Sequence, residues 1–262
     1  MKLPERIRAE IESGLGEIQE SRARQHLRAA VKKIAAEAWE RWIRFNGPQD
    51  NHPQHESTVF RLGMKIGVAE KLSLSELRVF SAFAFCHDNF KIKRIMDARV
   101  RDLEECGTAQ EAAKLRREKQ EQRTKHMVMG ARRADRMLRE IGVLSEAERE
   151  RCAEIIRKHD CWKLGEAWPL WEDRLAVCCL EADALWPLQP LGVLADVERS
   201  GEDLADPLVW RQKAQESHGT MIVFRKNWDG KKEPFRDRKS IFRTAEGHKI
   251  YKEWCKFWSL RV

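Results

Sequence analysis

A chain of 262 residues is long enough for one large domain or for a core domain with extensions. With 42% hydrophobic and 35% charged residues it is neither oily enough for a membrane protein nor poor enough in apolar residues to stay unfolded. Its formal net charge of +8 favours anionic partners, because a positive field raises their local concentration.

No stretch approaches the roughly eighteen uninterrupted apolar residues of a transmembrane helix, and the opening MKLPERIRAEIESG lacks the apolar centre of a secretory signal, so a cytoplasmic protein with no membrane partner is expected. Seven cysteines, odd in number and never spaced C-x-x-C, argue against both a disulfide framework and a thiolate zinc site.

Along the chain, Arg22 to Phe45 repeats Leu27, Val31, Ile34, Ala35, Ala38 and Trp42 at helical steps, which predicts an amphipathic helix with a basic outer face. NGPQDNHPQ breaks it, and a second helix is predicted from about Glu56 to Lys71, with His55 at its mouth. Ser73 or Ser75 can cap a third helix whose apolar middle, Val79 to Cys86, makes it the most buried of all, with His87 and Asp88 at its carboxyl end. Residues 98–125 are so rich in Arg, Glu, Lys and Gln that a solvated helical hairpin or flap is expected there.

Helical periodicity returns at Met127 to Ile141 and Ala147 to Lys158, separated by the turn GVLS, with His126 and His159 at helix ends. WEDRLAVCCLEADALWPL predicts a further helix containing Asp183 and stopped by Pro187. Beyond it, ADVERSGEDLADPLVWRQKAQESHG and GHKIYKEWCKFW are helical in pattern, while TMIVFRKNWDGKKEPF fits one small β-hairpin. The expected architecture is all-α: a helical core over 50–190 with an N-terminal extension over 1–49 and a C-terminal extension over 191–262.

The informative feature is the order His55, His87-Asp88, His126, His159, Asp183. Imidazoles with carboxylates suit Mn, Fe, Co, Ni or Zn, with Mg admissible, and four histidines with two aspartates can hold two such ions and leave positions open for water and substrate. His26, His218 and His248 have no place in this pattern and are expected to be surface or satisfied core residues; His52 is the alternative to His55. Asp160, beside His159, is set aside as a helix-end residue, and Trp162, Trp168 and Trp171 are candidates to wall a pocket.

The order H…HD…H…H…D, in the contexts HESTVFRLG, FAFCHDNFK, KHMVMGARRA, IIRKHD and LEADAL, resembles the HD superfamily of metal-dependent phosphohydrolases over roughly residues 50–190. The resemblance implies a helical HD core in which His55, His87, Asp88 and Asp183 bind one ion, while His126 and His159 join Asp88 around a second. It implies hydrolysis of a phosphomonoester or nucleotide-type phosphate bond by a metal-activated water, with Asp88 and Lys91 catalytic. Lys91, Lys125 and Arg133 are the expected contacts to the phosphate, and Arg132 a weaker one. Two other readings stay open: a mixed-valent di-iron oxygenase on the same scaffold, and a nucleic-acid-linked binding protein using the basic surface.

Overall fold

A computed structural model describes residues 3–46, 52–88, 107–161, 170, 172–224 and 242–261. Among these there are ten α-helices and no strand: α1 (Glu5–Gly16), α2 (Ser21–Asn46), α3 (His52–Ala69), α4 (Leu74–Cys86), α5 (Ala109–Ile141), α6 (Glu146–Lys158), α7 (Arg174–Leu185), α8 (Pro190–Ser200), α9 (Pro207–Phe224) and α10 (Ala245–Phe257). The all-α expectation therefore holds. No helix among the described residues is long and apolar enough to cross a membrane.

α4 is the hub, packed against α2, α3, α6 and α7. Its start is a capping box, in which the Ser73 hydroxyl accepts from Glu76 N and the Glu76 carboxylate accepts from Ser73 N. From Val79 to Cys86 every residue is buried, as expected of a helix apolar on nearly all sides. The close approach of α3 to α4 depends on Gly63, where an added Cβ would lie 1.8 Å from Cζ of Phe80. α1 and α2 share this core: Ile7, Ile11, Leu15, Leu27, Val31 and Ile34 belong to the same buried apolar cluster as Phe80 and Phe83.

α4 and α6 run side by side in the same direction. Ser75 Oγ and Arg78 Nε, near the start of α4, donate at 2.6 and 2.9 Å to the Glu148 carboxylate, which lies in the first turn of α6. The carboxyl ends of both helices consequently meet, and those ends carry His87 and His159.

Three local expectations change. Residues 109–125 are not a hairpin: they form the first half of a single 33-residue helix that continues through His126, which lies in its interior and not at an end. The physical reason is that Ala, Glu, Lys, Arg and Gln are strong helix formers, and no Gly or Pro interrupts residues 109–125 after Thr108, the capping residue. Gly142 ends the helix in the left-handed conformation at φ 67°, where a glycine carries no Cβ penalty. α3 begins four residues earlier than its apolar pattern, at His52, so His55 stands within its first turn. Thr220–Phe224 complete α9 and are not part of a hairpin; residues 225–235 of that stretch lie outside the described residues.

The final helix is held by Glu181 of α7. Its buried carboxylate accepts from Arg243 N, from Thr244 N at 3.0 Å and from Thr244 Oγ1, while Thr244 Oγ1 caps α10 by accepting from Gly247 N at 3.0 Å. Burial lifts the Glu181 pKa to about 7 against these hydrogen bonds, which favour the charged form.

Two variants test this packing by denaturant unfolding. Gly63→Ala overpacks the α3–α4 contact and is expected to lower stability by about 1–3 kcal/mol. Glu181→Ala strands buried backbone donors and is expected to lower it by about 2–3 kcal/mol, whereas the near-isosteric Glu181→Gln keeps an acceptor oxygen and loses less. Unchanged midpoints in both alanine variants would contradict the packing described.

Candidate metal centre

Five helices deliver the six residues of the H…HD…H…H…D order to one buried place. His55 comes from the first turn of α3, His87 and Asp88 from the end of α4, His126 from the interior of α5, His159 from the end of α6, and Asp183 from the last turn of α7. Their side chains form two groups, His55–His87–Asp183 and Asp88–His126–His159, within each of which one donor atom per residue lies within 4.8 Å of the others. Both groups can hold a metal ion.

In the first group, His55 Nε2 lies 2.9 Å from His87 Nε2 and 3.3 Å from Asp183 Oδ1, and His87 Nε2 lies 3.4 Å from the same oxygen. A triangle with these edges has a circumradius of about 1.9 Å, shorter than the ~2.1 Å bonds typical of nitrogen and oxygen ligands, so the three atoms are close enough together to hold one cation. Asp88 faces both groups: its Oδ2 is 3.4 Å from His55 Nε2, and its Oδ1 is 3.3 Å from His126 Nε2. A carboxylate with one oxygen toward each group is placed to bridge two ions.

The helix ends set the imidazole orientation. His87 Nδ1 lies 3.2 and 3.1 Å from the carbonyls of Phe83 and Ala84, and His159 Nδ1 lies 2.7 Å from the carbonyl of Ile156. Carbonyls at a helix end are short of backbone donors, so Ala84 O and Ile156 O accept from the Nδ1 of His87 and His159, which turns each Nε2 inward. The Phe83 ring stacks on His87 at 4.8 Å and 16°, and Trp186 meets His55 edge-on at 5.2 Å. Two helix carboxyl termini converge here, and their partial negative charge favours a cation.

Among the described residues, neither ring nitrogen of His126, only 3% exposed, has a hydrogen-bond partner, although Nε2 faces Asp88 Oδ1. An imidazole so buried costs free energy unless something else binds it, and a cation is the partner this donor set suits.

Electrostatics agree with the geometry. Burial lowers the pKa of His55, and burial pushes His159 down to about 4, so both are neutral and ready to ligate. His87 differs: burial opposes its charge, but Asp88 and Asp183 outweigh burial and lift it to about 9. Its Nδ1 faces the α4 carbonyls and its Nε2 lies 2.9 Å from His55 Nε2. Asp88 and Asp183 thus favour positive charge where the His55 and His87 rings meet, the place a cation would take.

Among the expected phosphate contacts, Lys125 is exposed on α5 one residue before His126. Arg133 is half-buried two helical turns along the same face, its pKa lowered by burial and by the neighbouring Arg136. Arg132 faces elsewhere, into a groove between α5 and α6 with Asp135, Arg149 and Arg157. Lys91, Trp162, Trp168, Trp171 and the His52 side chain lie outside the described residues. His26 is exposed, whereas His218 and His248 are buried around Tyr251, away from both groups. Asp160, set aside on sequence grounds, is only 2% exposed, and its carboxylate accepts from Arg123 Nη1 at 2.5 Å. Its one sequence signal was adjacency to His159; its partner Arg123, lost among the charges of 107–125, had none.

Cation binding has to expel the His87 proton, because an imidazole ligates only through a free lone pair. Below about pH 9 the apparent affinity for Mn(II) is therefore expected to rise with pH, by up to about tenfold per unit, with about one proton released per chain near neutrality. Titration calorimetry in buffers of differing ionisation enthalpy measures this, and an affinity independent of pH between roughly 6 and 8 would contradict the assignment.

No protein-family model, no curated protein and no solved structure matches this chain.

Proposed function

We propose that the protein is a binuclear metal-dependent phosphohydrolase of the HD kind. The observation that carries this reading is the pair of buried His/Asp groups sharing Asp88, each with three donor atoms close enough together for one ion. With Asp88 counted toward both, the groups offer four and three protein ligands, which leaves positions open for water and substrate on ions that take five or six ligands. The ligand order along the chain, and its resemblance to the HD superfamily, support the same conclusion.

Two cations held there would supply the Lewis acidity that lowers the pKa of water and neutralises a phosphoryl group. The chain does the rest. Asp88 holds the two positions in register, and His87 and His159, fixed by helix-end carbonyls, keep Nε2 inward. The apolar wall of Phe83 and its neighbours excludes bulk water, which strengthens every charge interaction inside. Lys91, three residues past Asp88, and Arg133, on the His126 face of α5, are the cations proposed to meet the substrate phosphate; Lys125 is a more peripheral third. The substrate class is a phosphomonoester or nucleotide.

The test is phosphate or pyrophosphate release from a panel of phosphomonoesters and nucleotides by the full chain with Mn(II) or Co(II). Asp88→Ala is expected to lose about three orders of magnitude in rate, equivalent to roughly 4 kcal/mol of transition-state stabilisation. Oxygen consumption by the iron-loaded protein without phosphate release would overturn hydrolysis in favour of oxidation.

A further inference from the structure

The two metal groups are not equally provided with negative charge. Asp183 belongs to the first group alone, whereas the second has only Asp88, which it shares. A third carboxylate lies beside the second group. Asp160 follows His159 directly, is 2% exposed, and sets Oδ2 at 3.8 Å from His159 Nε2, the nitrogen that faces the site. The same oxygen accepts from Arg123 Nη1 at 2.5 Å. Arg123 is one turn before His126 on α5, so this ion pair joins α5 to the end of α6 at the level where those helices present their histidines.

Asp160 is not itself in ligand position. Donors to one ion with bonds of about 2.1 Å lie within about 4.2 Å of one another, and Asp160 is not among the side chains whose donor atoms gather in either group. Its location suits another task. A buried carboxylate next to a ligand adds negative potential at the ion and, pinned by a guanidinium from the facing helix, sets the spacing of the two histidines. Resting on the binuclear reading above, we propose that Asp160, held by Arg123, is a positioning residue that selectively governs loading of the second ion, bound by Asp88, His126 and His159.

The experiment is Co(II) titration of the chelator-stripped full chain, followed by calorimetry and by the visible absorption of the bound ion. Wild-type protein is expected to take two ions per chain. Asp160→Asn, which keeps shape and removes charge, is expected to bind the first ion with affinity changed by less than about threefold and the second at least about tenfold more weakly. Arg123→Lys, which preserves the ion pair, is expected to retain two-ion loading, and Asp135→Asn, which breaks a separate ion pair on the same helix, to leave both ions in place. Asp160→Ser substitutes if the asparagine variant does not fold. Wild-type affinity for both ions in the Asp160 variant would overturn the inference and leave the binuclear reading standing. Uptake of a single ion by the wild type would overturn both.

Discussion

Charge buried in an apolar interior has to be compensated, and the arrangement of this molecule follows from that constraint. Asp88 and four histidines are at least 95% buried, and Asp183 nearly so, within a core otherwise made of residues such as Phe80, Phe83, Ala84 and Cys179. Leaving two carboxylates there without countercharge would cost several kcal/mol each, more than a domain of ordinary stability tolerates. The rise in the His87 pKa has the same origin: Asp88 and Asp183 lie beside its ring and outweigh the burial that opposes its charge. A divalent ion answers the same need more fully, which is why the donor geometry and the electrostatics point the same way.

The scaffold meets this constraint with helix ends. α4 and α6 are parallel, tied near their starts by Glu148, and they finish together with a histidine each. In both, the last-turn carbonyls, which no backbone amide of the helix can satisfy, accept the histidine Nδ1 proton. One hydrogen bond thereby terminates a helix and fixes a tautomer. α3, α5 and α7 contribute His55, His126 and Asp183 from different depths, so the site exists only when five helices are packed. Catalytic geometry and core stability are for this reason coupled: close contacts such as Gly63 against Phe80 bear on both.

Outside the centre, the peripheral helices are tied to it through buried polar bonds. Glu181, two residues before Asp183, holds the start of α10, and Arg123 with Asp160 links α5 to the end of α6. In each case a charged group at the margin of the core joins a ligand-bearing helix to another segment, so the orientation of Asp183 and His159 depends on chain far removed in sequence.

Sequence by itself determined the helices with strong internal patterns. The apolar middle of α4, a serine cap at 73 or 75 and the GVLS turn after α5 are local, because propensity, capping and periodicity act over a few residues. The six candidate ligands were legible as an ordered set of residue types. What local signals could not decide was continuity and proximity. A solvated run such as 109–125 looks alike whether it bends back or continues into α5, and only packing against α6 settled that His126 lies mid-helix. That Asp88 faces two groups, that α4 and α6 run parallel, and that Asp160 is buried against Arg123 are relations between residues dozens of positions apart. They were decided by tertiary structure, because burial and distance depend on the whole packed core and not on the local chain.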